Sequence, residues 1–314
     1  FAFVNSYGRI ILNGQSNTLV VADNPGAKLY LNDNINGSTF GNDIIISGKD
    51  NIGFLVSKPI TIDNEYGSGY IKIEGENGIF AYVDDKTSGS SEMKNINFEI
   101  TGDNNNGIII KNGNLKISDG QIYANPYTSS DPVDVFHVSE NGKLITNSPV
   151  EGTHKTRILT VSGPNAHSTM YDNRITINGT DGSVGAIILN NNNTRFFNTT
   201  MNLNVASGVY MRNSTMSRST VDSPTSSPVD LILSGKVGYN IDEDNGYFMY
   251  LDNSSAYANI SEGSPDVSHI QENKGFILKN NSSLDLGGME AHVTNGGVFF
   301  DIDGTSKVNI INTL

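Results

Sequence analysis

No cysteine occurs among the 314 residues. Disulfides, zinc-thiolate centres and cysteine nucleophiles are therefore excluded. Positive charge is scarce as well. Twenty Lys and Arg face 33 Asp and Glu, a net charge of −13. Phosphate backbones and anionic lipid headgroups need clustered Lys and Arg, so neither nucleic acid nor a polybasic membrane contact is expected. The densest basic patch, His154-Lys155-Thr156-Arg157, is too small to reverse this. No apolar run approaches the length of a membrane-crossing helix, so no direct membrane insertion of this segment is expected. No charged-then-apolar leader opens the chain. Apolar residues at 3.6-residue spacing are nearly missing too, which predicts almost no helix.

What the chain has instead is asparagine and glycine. Its 42 Asn and 33 Gly stand beside many Ser and Thr. Such a composition belongs either to disordered chains or to repetitive β-rich ones, and recurring Val, Ile, Leu, Tyr and Phe clusters favour the second. The clusters recur in order. A glycine opens GIFAYVDD at Gly78, GIIIKNGN at Gly107, GAIILNNN at Gly185, GVYMRNST at Gly208, GYFMYLDN at Gly246, GFILKNNS at Gly275 and GVFFDIDG at Gly297. VDVFHVSE at Val133 and ILTVSGPN at Ile158 keep the phase without the glycine. From Gly53 to Gly297 the mean step is about 27 residues. Self-similarity at that period means a solenoid or a propeller.

Each period contains three short strand-like runs bounded by Gly, Asn, Asp and Ser, for example GIIIK, NLKIS and GQIYA within 107–124. A propeller blade needs four antiparallel strands; a parallel β-helix coil needs three. The expected fold is therefore all-β: a right-handed parallel β-helix of about eleven coils, right-handed because parallel crossovers are. Residues 1–314 are expected to form a single domain. Phe1 opens in a strand-like run and KVNIINTL closes in another, so the chain is expected to be a piece of something longer. The Asn-rich bends after the strands suit positive φ, and stacked amides can bond along the axis.

Alternation along a strand sets which positions face out. The fourth residue after the glycine is often polar, as in Lys111, Arg212, Lys279 and Asp301, and so should face solvent. The second residue must then face out as well: Phe80, Ile109, Ile187, Tyr210, Phe248, Ile277 and Phe299. With Tyr82, Leu189 and Tyr250 at the fourth position, an apolar and aromatic stripe follows. It reads either as a binding groove with stacking rings or as a face covered by another segment. Phe248 and Tyr250 lie in the most aromatic strand and are the leading binding residues.

Glycine-led apolar runs, an Asn/Ser bend and a second alternating run, repeated in an acidic cysteine-free chain, resemble bacterial type V autotransporter passenger domains. The likeness is to the pertactin-like and AIDA-type adhesins, and it spans nearly the whole chain. The resemblance implies display on the outer membrane of a Gram-negative bacterium and a C-terminal translocator barrel outside these residues. It also implies attachment to host matrix proteins, to glycans, or to the same protein on another cell. The function expected on this basis is that of a non-catalytic surface adhesin.

Catalytic signals are thin. GTDGS (Gly179–Ser183) has the order wrong for a trypsin-like GDSGS, and neither Gly-His-Gly nor Arg-Ile-Lys of polygalacturonases occurs. The histidines at 137, 154, 167, 269 and 292 are scattered. Paired acids occur at Asp84-Asp85, at Asp242-Glu243-Asp244 and at Asp301 with Asp303, where a glycan-cleaving site would need two carboxylates facing one groove. A glycan-active lyase or hydrolase is thus the alternative; a secreted passenger acting on a host receptor is another. No cofactor is expected. Asn32, Asn34, Asn36 and Asp43 match part of the spacing of a calcium loop, with Asn in place of the first Asp and no flanking helices, and are read as an Asn-rich loop. Four longer inserts, 84–94, 125–132, 213–228 and 261–274, could also bind.

Overall fold

The computed structural model describes residues 10–31, 34–35, 38–39, 44–64, 70–87, 89–126, 132–179, 183–197, 199–204, 207–216, 247–259, 270–271, 274–287, 293–294 and 297–311. Among them there is no helix. With the exception of one two-residue hairpin, Asn34–Ile35 with Ser38–Thr39, every paired strand runs parallel to its neighbour one turn away. This is a parallel β-solenoid.

One sheet starts at Ile10–Leu12, passes through Ile44–Ile46 and Tyr70–Ile73, and ends at Thr200–Asn204. A second, longer ladder carries the glycine-led runs from Thr18–Ala22 to Val298–Ile302. A third face holds shorter strands such as Ile60–Asp63 and Ser90–Lys94. Inside, the side chains stack into one continuous core. Phe54 packs edge-on against Phe80 at 5.4 Å, and Phe80 stacks on Phe98 at 4.2 Å.

The coil count and the strands per coil depart from expectation. About seven turns show all three faces among the described residues, while the long ladder alone runs on to eleven strands. Counting glycine-led runs counts strands of one ladder, whereas a turn needs all its faces. Nor does every turn hold three strands. Asn106–Ser118 and Val133–Thr146 each run unbroken through a corner. The cause is register: Asn112-Gly113 lies directly opposite Asn141-Gly142, so ladder bonds persist through the bend, with one register shift between Ile110 and Asn112. Of the inserts, Ser90–Lys94 is strand, while 127–131, 217–228, 261–269 and 272–273 lie outside the described residues.

Asparagines shape the corners as anticipated from the bends. Positive φ occurs at Asn190, Asn213, Asn253, Asn280 and Asn281, and at Gly113. Their amides bond along the axis. Asn165 Nδ2 donates to Asn141 Oδ1 (3.2 Å), Asn141 Nδ2 to Asn112 Oδ1 (3.0 Å) and Asn112 Nδ2 to Asp84 Oδ1 (2.7 Å). Asn253 and Asn213 continue the pattern down to Asn190. At another corner the buried Asn105 takes the Gly78 N–H at 2.6 Å and donates to the Gly75 carbonyl at 2.8 Å, pinning two successive turns.

Candidate functional site

The outward column of the long ladder places Tyr82, Ile109, His137, Thr160, Ile187, Tyr210, Tyr250, Ile277 and Asp301 one above another in register. Phe80, Phe248 and Phe299 are not in it, which corrects the expected stripe. Phe80 and Phe248 are buried in the core, and Phe299 packs against it beside Phe276 and Phe300. The misplacement has a simple origin. Gly53, Gly107 and Gly275 occupy an inward position, whereas Gly78, Gly246 and Gly297 come two residues earlier, so Phe80, Phe248 and Phe299 fall where the other turns place glycine. Large and small residues alternate there from Gly53 to Gly107 and from Gly208 to Phe299: a Cβ on Gly53 would lie 2.4 Å from the Phe80 carbonyl oxygen.

A second correction concerns the outward residues themselves. Ile187, Tyr210 and Ile277 are buried at 6%, 5% and 0% exposure in a small apolar cluster outside the solenoid wall, with Val184 and Tyr247. Leu189 and Tyr250 pack against it. The Tyr250 ring lies 5.3 Å from Tyr210 and 5.7 Å from Tyr247. This half of the stripe is covered rather than presented. The polar neighbours are engaged too. Arg212 pairs with Asp252 at 3.1 Å and lies over the Tyr210 ring. Asp301 sits between Lys274 (2.8 Å) and Lys279 (2.9 Å), and their hydrogen bonds lower its pKa. Asp303 caps a turn, accepting from the Asn280 and Thr305 backbone N–H groups, which pulls its pKa far down. These acids serve the fold. Asp242, Glu243 and Asp244, and likewise Asn32, Asn36 and Asp43, lie outside the described residues, while Asn34 begins the short hairpin.

Tyr82 and Ile109 are different: both are half-buried on the outer wall and belong to neither apolar cluster. His137 continues the column above them. Its Nδ1 lies 3.0 Å from Asp134 Oδ2, and Asp134 Oδ1 pairs with Arg157 Nε at 2.7 Å and accepts from the Thr160 hydroxyl at 2.7 Å. One buried carboxylate thus fixes three outward side chains on two strands. Sequence reading passed over it because Asp134 and His137 lie in a run without the glycine marker.

Beside this column the corner opens into a cleft of about 610 Å³ lined by Asp85, Lys86, Thr87, Asn112, Gly113, Asn114, Glu140 and Asn141. Lys111 joins cleft and column. It pairs with Glu140 at 3.2 Å, and that hydrogen bond raises its pKa, with smaller contributions from Tyr82 and Asp84. Three consecutive turns build the cleft, because Asp85, Asn112 and Asn141 follow the same strand in successive periods and stack: the Asp85 N–H bonds the Asn112 carbonyl, and Asn112 lies opposite Asn141. Asp85 is 2% exposed. Its Oδ1 accepts from the Thr87 N–H (2.8 Å) and hydroxyl (2.6 Å), while its buried Oδ2 has no hydrogen-bond partner. Two acids, three amides and a lysine can hydrogen-bond a hydroxyl-rich ligand, with Tyr82 and Ile109 as apolar footing. The signal was present in sequence as DDKT, NGN and ENG, each at the end of an apolar run or one polar residue beyond it.

No family model matches the chain, and no curated protein does. Among solved structures it is similar to the crystal structure of an alginate lyase from Paenibacillus sp. str. FPU-7, at 13% identity and a TM-score of 0.41, covering 93% of this chain and 99% of that one. The expectation that the chain is not an enzyme is corrected by this finding, since the matched structure is an enzyme. At that degree of likeness no activity passes to this chain.

Proposed function

We propose that this chain is an extracellular saccharide-binding solenoid whose receptor surface is the outer wall at Tyr82 and Ile109 together with the adjoining corner cleft. One observation carries the reading: a half-buried aromatic and aliphatic footing on the outer wall adjoins a cleft lined by Asp85, Asn112, Asn114, Glu140 and Asn141. Aromatic rings beside convergent amides and carboxylates suit sugars, whose faces are apolar and whose edges are hydroxyls. The strand-crossover rule makes the solenoid right-handed. With the resemblance to autotransporter passengers, the reading extends to a surface adhesin of a Gram-negative bacterium that binds host matrix glycans or the glycans of neighbouring cells.

A glycan and matrix-protein array tests it. Tyr82→Ala should weaken binding at least about ten-fold, near 1.4 kcal/mol, and Asn141→Ala should also weaken it, while Lys72→Ala on another face should not. Equal binding by all three variants would refute the placement.

A glycan-active site is the second reading, favoured by Asp85 and Glu140 sharing one cleft. Their backbones are two strand spacings apart, about 10 Å, and cleavage of a glycosidic bond needs two carboxyl groups flanking it. Release of new sugar ends from a bound polysaccharide, lost in Glu140→Gln, would support it; intact polysaccharide after prolonged incubation would exclude it.

A further inference from the structure

Asp85 presents a problem that the saccharide reading leaves unsolved. Its side chain is buried, its Oδ1 is saturated by Thr87, and its Oδ2 has no partner. A buried carboxylate oxygen left without a donor or counter-charge costs several kcal/mol. The nearby cations do not relieve it. Lys111 is held by Glu140, and among the described residues no ion pair joins the exposed Lys86 to Asp85.

We infer that the corner cleft binds a calcium ion anchored by Asp85 Oδ2. The chemistry of the lining supports this choice. Asn114 brings an amide oxygen, Asn112 and Asn141 bring amide oxygens that each accept one ladder bond and keep a second lone pair, and Glu140 brings a second carboxylate; no imidazole lines the cleft, and the chain has no thiol. A hard, all-oxygen set of carboxylates and amides suits calcium, whose irregular coordination tolerates neutral oxygens; zinc prefers nitrogen and sulfur, and magnesium a stricter octahedron. Asn114 Nδ2 donates to the Gly89 carbonyl at 3.4 Å, which leaves its amide oxygen as the end available to the ion. Gly113 makes room: at φ +92° it lies so close that a Cβ would be 2.9 Å from the Asp85 carbonyl oxygen and Cβ. The net charge of −13 attracts cations to the surface in general. With only two carboxylates the affinity falls in the range of extracellular modules, a Kd of about 10⁻⁴–10⁻³ M. The inference rests on Asp85 and stands apart from any sugar ligand; it also differs from the calcium-like string at Asn32–Asp43, which lies elsewhere in the chain.

The chain is stripped with a chelator, dialysed, and titrated with calcium chloride by calorimetry, with magnesium chloride as the second arm. Thermal unfolding is recorded with and without 10 mM of each ion. One calcium per chain is expected from this cleft, with a rise of about 2–4 °C in Tm and a weaker response to magnesium. Asp85→Asn keeps an oxygen for Thr87 and should lose both the heat and the rise. Glu140→Gln, on the exposed side of the cleft, should weaken calcium several-fold without lowering the metal-free Tm. Absence of calcium heat in the natural chain overturns the inference. So does an undiminished response in Asp85→Asn or, should that variant fail to fold, in Glu140→Gln.

Discussion

Phe80→Ala separates the two possible phases of the glycine-led strand. In the solenoid Phe80 is 0% exposed, edge-on to Phe54 and stacked on Phe98. Burying a ring of its size removes about 150–250 Å² from water, worth about 4–6 kcal/mol at ~25 cal/mol per Å². Truncating a buried Phe costs about 3–5 kcal/mol. The upper part of that range is expected, because the residues above and below Phe80 in the stack are Gly107 and Gly53, which have no side chain to fill the hole. At ~1.5 °C per kcal/mol for a chain of 314 residues, the Tm should fall by roughly 6–8 °C. In a solenoid the loss is local, so hydrogen exchange should quicken first in the turns containing Phe54, Phe80 and Phe98. Had the glycine marked a common phase, Phe80 would stand in solvent and the change would lie within about 0.5 kcal/mol. A shift in Tm under 2 °C, roughly the effect of a single kcal/mol, would refute the packing described above.

The converse substitution, Gly107→Ala, should destabilise by at least about 1–3 kcal/mol, because its Cβ would lie 2.3 Å from the Val135 carbonyl oxygen; unfolding in urea measures this. Asp301 gives a pH signature. Its folded pKa is lowered by the Lys274 and Lys279 hydrogen bonds, so its contribution is complete above the unfolded value of about 3.9 and fades as pH falls through and below it. The Tm gap between the natural chain and Asp301→Asn should therefore hold from pH 7 down to about pH 4 and narrow below it, and a gap that does not narrow there would show that the pair is not the cause. Tyr82→Ala should lose glycan binding with little change in Tm, since Tyr82 lies in neither apolar cluster. Asp85→Asn should lose the calcium-dependent rise in Tm.

The parallel, helix-free architecture was legible because a repeat makes the same statement many times, and period, bend chemistry and strand length all agreed. Phase was not, because glycine plays two parts. In GIIIKN and GVYMRN five positions separate Gly107 from Asn112 and Gly208 from Asn213; in GYFMYLDN seven separate Gly246 from Asn253. Counted back from the bend rather than forward from the glycine, Phe248 falls on the inward position where Gly208 and Gly275 stand. The bend is the better origin because its positive φ and its amide bonds are fixed by neighbouring turns. Cover over the outer wall was beyond strand periodicity. Alternation tells which way Ile277 points, not what lies beyond it. The corner cleft was hidden for a related reason: Asp85, Asn112 and Glu140 are far apart in sequence and meet only once the period is known to the residue.

The amide ladder from Asn165 through Asn141 and Asn112 to Asp84 has a direction. Every side-chain amide donates toward the preceding turn, and the same holds from Asn253 through Asn213 to Asn190. Each turn therefore offers an acceptor to the turn that follows it in sequence. A turn laid down one residue out of step would leave both an amide N–H and an oxygen without partners, at about 1–3 kcal/mol for each that is buried. The corner thus acts as a register check: a turn out of step with its neighbour forfeits the bond on both sides.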